Sequence, residues 1–278
     1  MDPQLSVVVP TRDRPRRLGR CLAALGRQQV RLEAIVVDDG SCDREAVIEA
    51  ASAHAGTRLL RTPGRGAAAA RNLGVHAASA ELIAFCDDDC EPQAGWAGRL
   101  AGAALDSGVA AGQTVSPPGA SALVAAAQAI TNHLQLDSRD PSGRLAFAPT
   151  CNLAARREHL VRLPFDASYA RAGGEDRDWC ARAVAAGLTI EYVPEAVVVH
   201  SPDLDLPGFI RQQYHYGRGA ARFRAGAKGR RIPSPRFYAG LVRAGFGGGK
   251  GTGLAVIAAQ GAAAAGVVTE RAARTRVT

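Results

Sequence analysis

Short apolar runs alternate with amphipathic segments along the first 105 residues of the chain. The run Leu5-Ser-Val-Val-Val-Pro10 ends in turn residues, and a helical spacing of apolar residues follows from Pro15 to Gln28. The same order recurs at Ala34–Val37 and Arg44–His54, at Thr57–Arg61 and Ala67–Ala77, and at Leu82–Cys86 and Gln93–Leu105. These successive strand-helix units predict an α/β fold with a mostly parallel central sheet covered by helices on both faces.

The pattern loosens after Val109 and then recovers. It predicts a strand, a helix near Ser121–His133, an ordered stretch at Ala148–Ala154, a helix at Gly173–Ala186, and short strands at Ile190–Val193 and Ala196–Val199. We therefore assign residues 1–200 to a main α/β domain and residues 201–278 to a helical, basic carboxyl-terminal extension.

The end of the extension is apolar. Gly247-Gly248-Gly249 predicts a break before a last Ala-rich helix at Gly253–Val268. A stretch of that length is shorter than the roughly 20 residues that span a bilayer. We expect a packed or interfacial helix here.

The net charge of +8 indicates an anionic partner: nucleic acid, an acidic membrane surface or a phosphorylated small molecule. The basic residues are not interleaved with aromatic residues as in RNA-binding motifs, so we expect no nucleic-acid partner. The six cysteines include no pair at two-residue spacing, which argues against a zinc ribbon. Met1 leads almost directly into the first strand, so we expect a cytoplasmic protein.

Acidic residues follow two of the predicted strands. Asp38 and Asp39 follow the second, and Asp87, Asp88 and Asp89 follow the fourth. In open α/β sheets, ligands bind in the crevice at the carboxyl ends of the strands. Adjacent carboxylates repel one another unless a cation neutralises them, and Mg²⁺ and Mn²⁺ prefer such oxygen ligands. Extended backbone would place Asp87 and Asp89 on one side, so a metal site is predicted here, with a solvated acidic turn as the alternative.

Cys86 and Cys90 flank this cluster, so a thiolate site for zinc is conceivable. We reject it because hard oxygen ligands dominate the cluster. The segment Gly64-Arg-Gly66 lacks the full glycine fingerprint of a phosphate loop, and we interpret it as a flexible turn before the third helix.

Five motifs occur in order between Leu5 and His200. They are Val7-Val-Val-Pro-Thr11, Val36-Val-Asp-Asp-Gly-Ser41, Ala70-Arg-Asn-Leu-Gly74, the aspartate cluster, and Gly174-Glu-Asp-Arg-Asp178. In these motifs the sequence resembles the family 2 glycosyltransferases. The resemblance implies a GT-A-type nucleotide-binding sandwich and the transfer of a sugar, with inversion, from a nucleotide-diphosphate sugar to a hydroxyl of a glycan or lipid-linked acceptor. A UDP-sugar donor is favoured.

The resemblance also implies site residues. Those for the donor nucleotide are Pro10, Thr11, Asp39, Arg71, Asp87 and Asp88. Asp89 would bind a divalent metal, Mn²⁺ or Mg²⁺, on the donor diphosphate, and His200 would add a metal or phosphate contact. The residue types alone leave two alternatives open: Arg71 as a structural helix arginine, and Asn72 as a capping or packing residue.

The pair Glu175-Asp176 begins a predicted helix, where an acidic residue is most often a cap or a dipole partner. The resemblance instead implies that a carboxylate of this motif is the general base on the acceptor hydroxyl. We choose Asp176, with Glu175 second, and interpret Asp178 as a helix-face acid.

Two other functions fit the sequence less well. A nucleotidyltransferase would open with a glycine-rich loop, and Pro10-Thr-Arg-Asp-Arg14 is not one. A non-catalytic nucleotide-sugar-binding protein would lack the Asp cluster or the Glu-Asp pair, and both are present. The basic stretches Gln212–Arg224 and Arg230-Arg231 are expected to line an acceptor site or to lie on the inner face of the cell membrane.

Overall fold

The computed structural model of the chain describes residues 3–169, 173–226 and 233–275, so the basic pair Arg230-Arg231 lies outside the described residues. The strands are β1 (Leu5–Thr11), β2 (Leu32–Asp38), β3 (Thr57–Arg61), β4 (Leu82–Phe85), β5 (Cys90–Pro92), β6 (Gly108–Val115), β7 (Leu153–Arg156) and β8 (Thr189–His200). The helices are α1 (Pro15–Gly26), α2 (Arg44–Ser52), α3 (Ala67–Ala77), α4 (Trp96–Ser107), α5 (Ala122–Asp137), α6 (Arg157–Arg162), α7 (Glu175–Ala185), α8 (Leu206–Ala225), α9 (Pro235–Gly247) and α10 (Lys250–Thr275).

The strands form one mixed sheet in the order β3-β2-β1-β4-β7-β6-β8-β5. Parallel pairing joins β1 to β2 and β4, β2 to β3, and β6 to β8. β7 runs antiparallel to β4 and β6, and β5 runs antiparallel to β8. The α/β fold with a mostly parallel sheet is confirmed. The carboxyl ends of β1, β2 and β4 open on the same edge of the sheet, where a ligand crevice is expected.

Helices cover both faces of the sheet because alternate residues of β1 enter different cores. Val7 and Val9 pack in a cluster that includes Trp96 of α4, while Val8 packs in a second cluster that includes Trp179 of α7. All of these side chains are fully buried. Burial of a valine side chain stabilises the fold by about 1.5–3 kcal/mol, so the sheet that carries the acidic residues is a rigid platform.

The extension packs against α5 through a third apolar cluster, which includes Ile130, Phe209, Leu241 and Val256. Helices α8 and α10 approach each other closely at a glycine of each helix. A Cβ at Gly217 would lie 2.0 Å from the carbonyl oxygen of Ala263, and a Cβ at Gly266 would lie 2.0 Å from that of Tyr214. Larger residues would separate the two helices, so these glycines set the position of the extension.

Two predicted elements were wrong in their bounds. The two strands expected around Pro194 are one strand, β8, because a bulge opposite Gly112 and Gln113 absorbs the irregular segment without ending the pairing. The last helix is longer than expected and runs over Lys250–Thr275. Its final turns continue because Glu270, buried among Arg218 and Arg222 of α8, ties them to the bundle.

Helix α10 is long and apolar enough to cross a membrane, by length and composition alone. Within its apolar 18-residue stretch, 28% is buried inside the protein. It packs on α5, α8 and α9 along one side. The expected packed helix is therefore present, and its outer side is available for another contact.

Candidate active site

All ten predicted site residues line one cavity of about 880 Å³ at the carboxyl edge of the sheet. They are Pro10, Thr11, Asp39, Arg71, Asp87, Asp88, Asp89, Glu175, Asp176 and His200. The ends of strands β1, β2, β4 and β8 line one part of the cavity, and helices α5, α7, α8, α9 and α10 line much of the rest. The cavity thus joins the main sheet to the extension.

The aspartate cluster lies in a turn rather than in extended backbone. The amide of Cys90 donates to the carbonyl of Asp87 at 3.1 Å, which closes the turn. The extended backbone expected at Asp87 and Asp89 is therefore wrong. Asp87 forms an ion pair with Arg71, whereas Asp89 forms ion pairs with Arg14 and His200. The charge of Asp87 also acts on Arg14 and His200, so both carboxylates belong to one electrostatic cluster.

Asp88 is the most buried member of this cluster. It accepts hydrogen bonds from the hydroxyl of Thr11 at 2.7 Å and from Arg14 at 3.1 Å. Burial raises the pKa of Asp88 to about 6, against the opposing charge of Arg14. Burial also acts to raise the pKa of Asp89, but its hydrogen bond to His200 and the nearby arginines lower it below the ordinary value. The neighbouring carboxyls therefore differ in their readiness to ionise.

His200 ends β8 and lies beside Asp89, with its Nε2 atom 3.4 Å from the Asp89 Oδ1 atom. Its Nδ1 atom is 2.9 Å from Oε1 of Gln128 on α5, which orients the ring. Burial would lower the pKa of His200, but the hydrogen bond and charge of Asp89 raise it to about 9. The imidazole thus has a fixed direction toward the acidic turn.

Asp39 is held by the turn that precedes α3. Its carboxylate accepts the amide of Arg65 at 2.8 Å and the amide of Gly66 at 2.9 Å, and it also bonds the hydroxyl of Thr62. Gly64 and Gly66 have positive φ angles, which non-glycine residues adopt at a cost. The predicted turn is present, and its amides fix the Asp39 carboxylate at the cavity wall.

Arg71 bridges two motifs that are far apart in the sequence. Its guanidinium contacts Asp87 at 3.1 Å and Glu175 at 3.2 Å. Burial would lower the pKa of Arg71, but these carboxylates raise it. Asn72 exchanges two hydrogen bonds with the backbone of Phe165 and so packs the structure, one of the two alternatives considered for it.

The loop before α7 places Asp176 at the cavity. Gly173 and Gly174 have positive φ angles, and the carbonyl oxygen of Gly173 lies 1.8 Å from where a Cβ on Gly219 of α8 would be. Glu175 is occupied by Arg71 and by the amide of Gly173 at 2.8 Å. These contacts make Glu175 a support of the loop and leave Asp176 to face the cavity.

The carboxyl of Asp176 is unusual in its acidity. Burial, together with the charge of Glu175, raises its pKa to about 7. A group with this pKa exchanges protons near neutral pH, as a general base must. Asp178, two residues further along α7, instead pairs with Arg182 at 2.7 Å, as expected for a helix-face acid.

Several cavity residues were missed by sequence reasoning. Arg14 contacts Asp88 of the acidic turn, and Gln128 contacts His200. Arg177, Tyr216 and Arg224 also line the cavity. The density of arginines at residues 12–20 was a signal for Arg14, because a cluster of carboxylates needs cations. The sequence carried no comparable signal for Gln128.

The acidic crevice and the sheet topology place the molecule in the class of GT-A-fold proteins. The mannosyltransferase PcManGT from Pyrobaculum calidifontis, solved with GDP-Man and Mn²⁺, has a TM-score of 0.64 at 21% identity, over 100% of this chain and 81% of that one. TarS of S. aureus, solved with UDP-GlcNAc, has a TM-score of 0.58 at 16% identity, over 96% of this chain and 82% of that one. The chain belongs to glycosyl transferase family 2, whose sequence model matches residues 6–162.

Curated relatives agree with this membership. The chain is 32% identical over 225 residues to the pre-mycofactocin glycosyltransferase of Mycobacterium tuberculosis (strain ATCC 25618 / H37Rv), a match that covers 78% of this chain and 47% of that protein. It is 25% identical over 227 residues to glycosyltransferase AglE of Haloferax volcanii, with 78% and 73% covered. The chain thus spans about half the length of the mycobacterial relative.

Proposed function

We propose that this protein transfers a sugar from a nucleotide-diphosphate sugar to a hydroxyl acceptor, with inversion at the anomeric carbon. The observation that carries the proposal is the convergence of the Asp87–Asp89 turn with Asp176 in one cavity. Membership of glycosyl transferase family 2 supports it. The solved neighbours that contain GDP-Man and UDP-GlcNAc support a nucleotide-sugar donor.

The donor nucleotide would lie along the strand ends. Pro10, Thr11 and Asp39 form the wall that would hold the base, and the buried carboxyl of Asp88 lies beside Thr11 for the ribose diol. A carboxylate suits a base that presents an N–H donor, as uracil does. Asp87 and Arg71 stand next to this wall, so Arg71 could reach the diphosphate while it holds Asp87.

The acidic turn fits a divalent metal. Ligand atoms of Asp89, Cys90 and His200 lie within 4.8 Å of one another. Burial raises the pKa of the Cys90 thiol well above its ordinary value, which disfavours a thiolate ligand. Asp89 would supply a carboxylate ligand, and His200 would supply its Nε2 atom once the cation displaces the proton that Asp89 stabilises. This set suits Mn²⁺ or Mg²⁺ shared with a diphosphate. Such an ion would neutralise charge that develops on the leaving diphosphate.

Asp176 would act as the general base. It would take the proton of the acceptor hydroxyl while that oxygen forms a bond to the anomeric carbon. The bond between the anomeric carbon and the diphosphate oxygen would break, and the nucleoside diphosphate would leave with that electron pair. Glu175 and Arg71 would hold the Asp176 loop against the donor half of the cavity.

Turnover measurements test this function. UDP-glucose, UDP-GlcNAc, GDP-mannose and dTDP-glucose would each be incubated with the protein and Mn²⁺, and release of the nucleoside diphosphate would be measured. Replacing the base in Asp176→Asn should lower kcat by about 10²–10⁴-fold. Asp178→Asn is the matched control on the same helix and should stay near wild type. Wild-type turnover by Asp176→Asn would refute the assignment of the base.

A peripheral contact between the extension and the inner face of the cell membrane belongs to the same proposal. Leu254, Ile257 and Val268 of α10 are exposed on its outer side, and Arg271 and Arg274 follow them. An apolar stripe beside basic residues suits an anionic bilayer surface. Such a position would bring a lipid-linked acceptor to the cavity.

Vesicle flotation tests this contact. The variant Leu254→Gln/Ile257→Gln should float less with phosphatidylglycerol vesicles than the wild type does. Leu105→Gln, at an exposed leucine of α4, is the matched control and should float normally. Equal flotation of all three proteins would refute the contact.

A further inference from the structure

Among the residues that the structure describes, five arginines line the cavity, and they fall into two groups: Arg12, Arg14, Arg71, Arg177 and Arg224. The first three each form an ion pair with a carboxylate. Within residues 3–169, 173–226 and 233–275, the guanidinium groups of Arg177 and Arg224 form neither an ion pair nor a hydrogen bond. These two cations are therefore available to a ligand.

The two guanidinium groups are near enough to repel each other. Burial lowers the pKa of Arg177, the charge of Asp176 opposes this, and the positive charge of Arg224 lowers it further. Bringing like charges together in a partly buried place is unfavourable unless an anion lies between them. An anion that accepts from both arginines would relieve this repulsion through charge-assisted hydrogen bonds.

Arg177 is also fixed in direction. Its guanidinium lies over the ring of Phe147 at 5.3 Å, a cation–π contact. Phe147 packs against the apolar cluster that contains Val8 and Trp179, and both Phe147 and Arg224 line the cavity. An arginine held by an aromatic face, with its hydrogen-bond donors free, resembles a preformed anion site more than a solvated surface arginine.

The position of the pair identifies which substrate it would contact. Arg177 directly follows Asp176 on α7, and Arg224 lies near the end of α8. The residues proposed to hold the donor, Thr11, Asp39 and Asp88, lie instead at the ends of β1, β2 and β4. An anion at the arginine pair would therefore lie beside Asp176, the proposed general base, where the acceptor hydroxyl would react.

We propose that Arg177 and Arg224 form an anion-binding subsite for the acceptor, which carries a phosphate or carboxylate group close to its reacting hydroxyl. Phe237, Tyr238 and Leu241, which line the same cavity, would contact the uncharged part of that acceptor. The identification of the ligand as the acceptor rests on the proposed function, but anion binding at the arginine pair can be measured by itself.

Calorimetry with small probes tests the subsite. Farnesyl phosphate and glucuronate represent the two sources of an anion, and farnesol and glucose are their neutral counterparts. Each would be titrated into wild type, Arg177→Met, Arg224→Met and Arg243→Met, with and without UDP and Mn²⁺. Arg243 is an exposed arginine of α9 outside the cavity, and its variant is the matched control for loss of one charge.

At least one anion should bind wild type and Arg243→Met, and bind at least about tenfold more weakly to each of the other variants, as expected for loss of a charged hydrogen bond. The anion that binds shows whether the group is a phosphate or a carboxylate. The proposal would be overturned if the neutral probes bound as tightly as the anions, or if no anion bound at all, in proteins that still bind UDP. A parallel loss of UDP binding in Arg177→Met and Arg224→Met would assign the pair to the donor and would also overturn it.

Failure of UDP and the other nucleotides to bind any of these proteins would instead count against the proposed function. Anion binding that is lost in the two variants would in that case still support the subsite. The two failures are therefore distinguishable in one set of titrations.

Discussion

The close contact between Gly219 of α8 and Gly173, in the loop that precedes α7, leads to a specific prediction about the position of Asp176. A Cβ in Gly219→Ala would lie 1.8 Å from the carbonyl oxygen of Gly173, whereas real Cβ contacts stay beyond 3.0 Å. The loop or α8 must then move by about 1.2 Å, the difference between these distances. A displacement of about 1 Å in a catalytic group costs roughly 10²-fold in rate. We expect kcat for nucleoside diphosphate release to fall by about that factor, with the Kd of the nucleotide unchanged.

The matched control is Gly261→Ala, where an added Cβ meets nothing within 4 Å. Both changes replace a helical glycine by alanine and gain the same helix propensity, about 0.8–1 kcal/mol. The difference between the two variants therefore isolates the effect of the clash. If the kcat of Gly219→Ala lies within about twofold of the kcat of Gly261→Ala, the idea that α8 positions Asp176 is refuted.

Four further predictions concern charge. The kcat/KM of wild type should rise with pH through about 7, because Asp176 must ionise, and Asp176→Asn should lack this rise. Since the folded pKa is raised, the stability of wild type relative to Asp176→Asn should fall as pH rises from 3.8 through about 7 in urea titrations. Arg71→Met should lower the free energy of unfolding by about 3–5 kcal/mol, because it leaves Glu175 buried without its partner, and adding Glu175→Gln should restore part of it. Glu270→Gln should lower stability by about 1 kcal/mol at pH 7; the pKa of Glu270 is lowered, so the difference should vanish as pH falls below 4.5.

The first half of the fold was predictable because its signals are local. Strands β1, β2 and β4 are short, mostly apolar runs bounded by turn residues, and the bounds of β3 and α3 were predicted to the residue. Alternation of strand and helix then determines a parallel sheet and the edge where its acidic residues meet. The positions of Asp39 and of the Asp87–Asp89 turn followed from this rule.

The less predictable features depend on contacts between distant parts of the chain. Arg14 meets Asp88 across 74 positions of sequence, and His200 meets Gln128 across 72. Nothing in the local pattern of α5 marks Gln128 as a partner of the acidic site. The continuity of β8 through its bulge likewise depends on pairing with β6, which a local pattern does not show.

Nucleotide binding tests whether this cavity holds a nucleotide-sugar donor. UDP, GDP, dTDP and CMP would be titrated by calorimetry, with and without Mn²⁺, into wild type and Asp89→Ala, with Asp203→Ala, an exposed acid after β8, as the control. We predict that one nucleoside diphosphate binds wild type and Asp203→Ala only when Mn²⁺ is present, and that Asp89→Ala loses this binding. Binding that is equal in Asp89→Ala and wild type, or no binding of any nucleotide, would contradict the assignment of this cavity to a nucleotide-sugar donor.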